Sequence, residues 1–204
     1  MQITLERACS IVRELQQRLR FGSGANRVRA RLVPVGSLRR QEPLATDIDL
    51  LVVVADRDDS GDVLASAVLS SRSGAVLSSR SGATLSSRPR SRPDSALEIA
   101  GDRRCGPRRR TMLLALPVGG AALPVDLFLV RESELPFALF HYTGSRAYNI
   151  RTRAHAKRLG WTLNQYGLFN IAGRRVRGTR QIRTEAEVAA RLGLSYRAAT
   201  DRKK

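Results

Sequence analysis

The run "TDIDLLVVVA" (residues 46–55) constrains this chain more than any other stretch. It reads as a β-strand: a continuous apolar segment rich in β-branched residues, entered through two aspartates. Asp47 and Asp49 are two positions apart, so both side chains leave the same face. A carboxylate taken out of water is costly unless a cation answers it. Either an arginine supplies that cation and the pair is structural, or a metal ion does and the pair is a site. The two residues lie about 6.6 Å apart along the strand axis, with room for their oxygens to converge. That suits a pair of divalent ions roughly 3.5–4 Å apart.

Around this strand the periodicity predicts mixed helices and strands. "TLERACSIVRELQQRLRFG" (4–22) places Leu5, Ile11, Val12, Leu15 and Leu19 near a helical period, with Thr4 as N-cap. "ARLVPVGS" (30–37), "ALEIAGD" (96–102), "RTMLLALPV" (110–118) and "LPVDLFLV" (123–130) read as further strands, the last entered by a turn at Gly119-Gly120. Beyond Pro136 come a helix over "SRAYNIRTRAHAKRLG" (145–160), a hairpin over "WTLNQYGLFNIAGRRV" (161–176) and a short helix. That last helix has Thr184 and Glu187 as a capping box and Gly193 at its close. "VLSSRSGA" occurs at 68–75 and again at 76–83, and "TLSSRPRS" degrades the unit at 84–91. A period so short and so few cannot build a solenoid, so it reads as a basic repeat expansion in a surface loop.

With 204 residues, 42% of them apolar, the chain can bury a proper core as one large or two small domains. It has no uncharged apolar stretch long enough to span a bilayer, and its first residues lack the pattern of a signal peptide. Cys9 and Cys105 show no metal-ligand spacing, which points to a reduced, intracellular compartment. The formal charge of +18 is unevenly placed. Residues 1–66 carry a net +1, residues 67–130 a net +6 and residues 131–204 a net +11. Loading of the C-terminal third favours a surface that grips a polyanion, although 33 arginines against 3 lysines also look like compositional drift. Nucleic acid ranks ahead of an anionic membrane, since no basic amphipathic helix with an aromatic face is evident.

A lone D-x-D is a weak signal, because strands often begin with solvated aspartates. Its neighbours strengthen it. Gly36 lets a phosphate approach the backbone and Ser37 can donate a hydroxyl. Arg39 and Arg40 follow, able to hold phosphate oxygens in bidentate fashion. Asp126, in "LPVDLFLV", offers a third carboxylate from another strand. Hard oxygen ligands point to Mg²⁺ rather than zinc. Together these residues form a kit for transferring a nucleotide from a triphosphate. An arginine–aspartate turn would explain Arg39 or Arg40 but not Gly36, Ser37 and Asp126.

"GSLRR" and "DIDLLV" (36–52), "VDLFLV" (125–130), "FHYTGSRAYNIRTRAHAKRLGWTLNQYGLF" (140–169) and "LGLSYR" (192–197) closely resemble the family X DNA polymerases. The likeness is greatest to the very small viral members, which lack an N-terminal lyase domain. It implies an α+β fold: a nucleotidyltransferase-type palm with a mixed sheet over 1–132, with the repeat loop inserted at about 66–94. A small C-terminal α+β subdomain over 133–204 would bind nucleotide and template. The implied activity is gap-filling, template-directed addition of deoxynucleotides to a primer 3′-hydroxyl by two-metal transfer, without lyase or proofreading.

On individual residues, the resemblance makes Asp47, Asp49 and Asp126 ligands of two Mg²⁺ ions, for which Mn²⁺ can substitute. Asp126 would lie nearest the primer hydroxyl. Gly36, Ser37 and Arg40 would contact the triphosphate, and Thr143, Gly144 and Ser145 would form the turn beside the incoming sugar. Asn149 would read the incoming base and Arg153 would reach the template. His141 and Tyr142 stand where many relatives carry Tyr-Phe, giving the sugar pocket a titratable, more polar wall. Phe128 and Gln165 stand where relatives often carry arginine and glutamate, which removes an ion pair linked to open–closed switching.

DNA grip is expected from Arg103, Arg104, Arg108, Arg109 and Arg110, and from Arg174, Arg175, Arg177, Arg180 and Arg183, with steep salt dependence. The implied partners are gapped or nicked duplex DNA and deoxynucleoside triphosphates, with a DNA ligase acting downstream. The implied state is a monomer without a membrane, in host cytoplasm, viral factory or virion. The rivals are a small nucleotidyltransferase acting on a non-DNA acceptor, and a non-catalytic basic DNA-binding protein. Template-independent tailing also stays open.

Overall fold

The computed structural model describes residues 2–21, 28–56, 63, 68–69, 97–104, 106–116 and 122–202. Most of the eight-residue repeat, the Gly119-Gly120 turn, Cys105, Lys203, Lys204 and the side chain of Arg104 lie outside the described residues. The chain opens with β1 (Ile3–Thr4) and α1 (Leu5–Arg18), where the Thr4 hydroxyl accepts from the Arg7 amide as an N-cap should. Ile11, Val12 and Leu15 are buried along one face of α1, as their spacing predicts. After β2 (Leu19–Arg20) come β3 (Arg31–Pro34) and a single helical turn, α2 (Gly36–Arg39). β4 (Leu44–Ala45) pairs with β1, and β5 (Ile48–Val54) carries the apolar run.

β6 (Val68–Leu69) pairs with β2. β7 (Glu98–Arg104), β8 (Arg109–Ala115) and β9 (Ala122–Arg131) follow. The C-terminal part holds α3 (Leu135–Tyr142), α4 (Arg146–Arg158), the hairpin β10 (Trp161–Asn164) and β11 (Gly167–Asn170), and α5 (Glu185–Arg191). In α5 the Thr184 hydroxyl accepts from the Glu187 amide, while the Glu187 carboxylate accepts from the Arg183 amide. The reciprocal bond thus lands one residue earlier than in a standard capping box.

The central sheet has the order β3-β5-β9-β8-β7. β5 and β9 are parallel and the other pairs antiparallel, giving the mixed sheet expected of the palm. Leu50, Val52, Val54, Leu127 and Leu129 face α1 and share a core with Ile11 and Leu15. Leu51, Val53, Phe128 and Val130 face the other way and pack with Val35 and Ala138. β5 is therefore buried on both faces, which is why its sequence is an unbroken apolar run. Each such side chain contributes roughly 1.5–3 kcal/mol by leaving water.

A third cluster, including Phe137, Phe140, Tyr148, Leu163, Leu168, Val188 and Leu192, forms the core of the C-terminal part. α3 serves both sides, giving Ala138 to the sheet and Phe137 and Phe140 to that cluster. With apolar contacts on every side, α3 shows no 3.6-residue stripe, and periodicity did not reveal it.

Candidate active site

Parallel pairing of β5 with β9 puts Asp49 directly opposite Asp126. Both side chains leave the sheet on the face of Leu51 and Phe128, toward the C-terminal part. The turn from β3 into α2 closes over them. The Val35 amide donates to the Asp49 carbonyl at 3.0 Å, and Gly36 follows with a φ of +59°. A Cβ at Gly36 would stand 2.2 Å from Asp49 Oδ2, so only glycine fits this approach. Burial, reinforced by Asp47 and Asp126, pushes the Asp49 carboxyl up to about 7, against the pull of Arg109 and Arg40.

Asp126 is engaged elsewhere: Arg109 Nη2 donates to one oxygen at 2.7 Å and the Thr111 hydroxyl donates to the other. Among the described residues no three His, Cys, Asp or Glu side chains converge into a finished metal cluster. The chemistry of the donors nonetheless fits a divalent cation. They are hard carboxylate oxygens, and Asp49 is held up in pKa by burial first and by the charges of Asp47 and Asp126 second, against which Arg109 and Arg40 do not prevail.

Asp47 and Asp49 line a cavity of about 660 Å³ together with Gly36, Ser37 and Arg40. Its opposite wall is His141, Tyr142, Gly144, Asn149 and Arg153. The Ser37 hydroxyl oxygen is buried and has no hydrogen-bond partner among the described residues. Arg40 reaches across to the Thr143 carbonyl at 2.5 Å and places its guanidinium against Gly144, whose φ is +70°. Tyr142 stacks on Phe128 at 4.2 Å between ring centroids, and burial beside Tyr166 raises its phenol to about 12. His141 is lowered by burial first and by Arg153 second, which favours the neutral imidazole. Its carbonyl accepts from Asn149 Nδ2 at 2.7 Å, which fixes the amide of a residue that lines the cavity.

Several arginines are not where the sequence suggests. Arg39 does not line the cavity; it pairs with the Thr143 hydroxyl and with buried Glu185, whose other oxygen accepts from Arg202 at 2.9 Å. One residue of helical turn aims Arg39, the last of α2, and Arg40, its C-cap, in different directions, so one arginine goes to structure and the other lines the cavity. Thr143 is fully buried and contributes through its backbone and Arg39 rather than by lining the cavity.

Arg110 is buried on Asp102, where it can grip no DNA. Arg175 is packed near Phe137 and Phe169 and donates to the Tyr166 carbonyl at 2.6 Å. Arg108 pairs with both oxygens of Glu134 and lies 5.0 Å from the Tyr166 ring centroid. Arg103, Arg109, Arg174, Arg177, Arg180 and Arg183 are exposed. The structure also adds lining residues that sequence reasoning missed: Leu44, Ala45, Thr46, Arg146 and Ile150. The signal for the last two was present, since Arg146, Asn149, Ile150 and Arg153 follow an i, i+3, i+4, i+7 pattern.

A mixed sheet presenting paired carboxylates beside a glycine–serine turn is the arrangement expected of a nucleotidyltransferase. A family model described as DNA polymerase beta thumb matches residues 138–203. "Repair DNA polymerase X" of African swine fever virus (strain Badajoz 1971 Vero-adapted) is 30% identical over 198 residues, covering 96% of this chain and 96% of that protein. "DNA polymerase/3′-5′ exonuclease PolX" of Bacillus subtilis (strain 168) is 37% identical over 73 residues, 34% of this chain and 12% of that protein.

Among solved structures, Leishmania infantum polymerase beta in a ternary P/T complex matches with a TM-score of 0.65 and 18% identity, covering 100% of this chain and 77% of that one. This likeness bears on the fold. The chain belongs to the family X DNA polymerases. No helix among the described residues is long and apolar enough to cross a membrane.

Proposed function

We propose that the protein fills short gaps in duplex DNA, adding deoxynucleotides to a primer 3′-hydroxyl under direction of a template. The carrying observation is the cavity itself, which joins Asp47, Asp49 and the Gly36–Ser37–Arg40 turn to the face of α4 bearing Asn149 and Arg153. The cation complement of such a site, magnesium by the hardness of its ligands, would be held by Asp47, Asp49 and Asp126 and would neutralise charge on the reacting oxygens.

The chain's own residues do the rest. Ser37, with its unused hydroxyl, and the Gly36 backbone hold triphosphate oxygens, and Arg40 adds a charge-assisted contact. The Gly144 turn and neutral His141 border the sugar, and the Asn149 oxygen reads the base edge. Arg109 and Thr111 hold Asp126 until the primer end arrives, when its carboxylate accepts the proton of the primer 3′-hydroxyl as that oxygen bonds to the α-phosphorus and pyrophosphate leaves. A division near residue 132 separates the catalytic half from the half that reads nucleotide and template, with α3 as the common wall. Exposed Arg174, Arg177, Arg180 and Arg183 suit contacts to DNA phosphates.

Primer extension on a one-nucleotide gap tests this reading. Asp49→Ala and Asp126→Ala are expected to abolish incorporation; wild-type rates in either would sink it. Incorporation onto the primer without a template strand would favour template-independent tailing, and nucleotidyl transfer that needs no DNA would favour a non-DNA acceptor. Tight DNA binding with no incorporation in Mg²⁺ would favour a silent DNA-binding protein.

A further inference from the structure

We propose that Arg146 binds the triphosphate of the incoming nucleotide, supplying the cation that Arg39 does not; this rests on the nucleotidyl-transfer reading above. Arg40, Arg146 and Arg153 are the arginines among the described residues that line the cavity. Arg39 is bound to Glu185, and Arg40 already gives one nitrogen to the Thr143 carbonyl and another to Glu42. Arg146 is exposed and shows no hydrogen bond or ion pair among the described residues. It is also badly placed for the helix: it opens α4, whose first turn holds no acid, so its charge opposes the helix dipole. A cation that helps neither the helix nor a partner calls for a ligand.

Geometry says which end of the ligand. Helical side chains lean toward the helix N-terminus, so Arg146 covers the Gly144–Ser145 turn. The Arg40 guanidinium stands at that same turn, 3.0 Å from where a Gly144 Cβ would be. The buried, unpartnered Ser37 hydroxyl lines the same cavity. Two guanidiniums, an unused hydroxyl and the amino end of a thirteen-residue helix make a polyphosphate site. Arg153 lies two turns further on, about 10.5 Å along the axis, and stays with the base and template.

The test compares wild type, Arg146→Gln, Arg146→Lys and Arg151→Gln in single-nucleotide gap filling, with inorganic tripolyphosphate as competitor. Arg151 is exposed on the same helix but does not line this cavity, so its variant controls for net charge. Arg146→Gln should raise nucleotide KM and the tripolyphosphate Ki together by about tenfold, with kcat little changed. Arg146→Lys should recover much of that loss, and Arg151→Gln should leave the Ki unaltered. Arg146→Gln should also melt at or above the wild-type temperature, since it relieves the dipole conflict.

An unchanged KM, a raised KM with unchanged Ki, or a lowered melting temperature without a change in Ki would each overturn the assignment. Tripolyphosphate binding by calorimetry gives the same comparison without turnover. A wild type that incorporates nothing therefore fails the polymerase reading while still deciding for or against Arg146.

Discussion

At Asp49 the stability of the fold and the proposed chemistry pull against each other. Unfolded, Asp49 titrates near 3.8; folded, burial and the neighbouring carboxylates raise it to about 7. Between those values the folded state holds the extra proton, so Asp49 withdraws stability as pH rises through the window, and the full penalty stands above 7. Asp49→Asn should therefore melt higher than wild type at pH 8, with the gap closing toward pH 4. The same change should lower primer extension by at least about a hundredfold. Adding Mg²⁺ should raise the melting temperature of wild type but much less that of the variant.

Gly36→Ala is the steric counterpart. Its Cβ would collide with Asp49 Oδ2 in a left-handed backbone, so it should cost more than about 1 kcal/mol and lose incorporation as Asp49 is displaced. Pattern and spacing made Gly36, Asp47 and Asp49 legible, because each owes its place to its own strand or turn; Asn149 and Arg153 were legible through the family resemblance, with which their i, i+4 spacing on one helix face agrees. Arg39 and Arg40 were indistinguishable in sequence, since only the rotation of α2 tells them apart. Arg146 was legible in principle, since it shares one helix face with Asn149, Ile150 and Arg153.

Among the elements, α2, α5 and the last described turn are tied by one buried ion group. Glu185 answers both Arg39 and Arg202, and Arg202 lies against the rings of Phe140, Tyr148 and Tyr196. Glu185→Ala strands two guanidiniums, one of them fully buried, and should destabilise by about 3–5 kcal/mol, read from denaturant midpoints. Arg39→Met should lose less, because Arg202 still answers the carboxylate. α1 and α5 were readable from caps and periods, whereas α3 was hidden by its apolar surroundings. At the Phe128 position, contact between the two halves is aromatic, with Phe128 stacked on Tyr142, and Arg108 sits over the ring of Tyr166, the residue after Gln165.

On the scale of the whole molecule, the α+β class, the mixed sheet and the polymerase family were all legible, because the apolar strands and the 140–169 block are local patterns. The fate of the charge was not. Arginines that look alike in sequence divide into exposed ones, such as Arg177 and Arg180, and ones consumed by the fold, such as Arg110 and Arg175. If the exposed set meets DNA phosphates, Arg177→Gln with Arg180→Gln should flatten the slope of log affinity against log salt by about 1.8. Arg110→Gln should instead lower the melting temperature and leave that slope alone. Titrating a fluorescent gapped duplex at several salt concentrations separates the two.

The register of Asp49 opposite Asp126 has a consequence for how such a chain can change length. Strand faces alternate, so the site is written in the odd–even count of two neighbouring strands. One residue inserted upstream in β5 or β9 would turn a carboxylate into the core and an apolar side chain into the cavity, losing fold and chemistry in a single step. The eight-residue repeat begins with the two residues of β6, and the rest of its length falls between Leu69 and β7, where neither count is read. Insertions and deletions should therefore be survivable there at any length, odd or even, while within β5 and β9 not even one is.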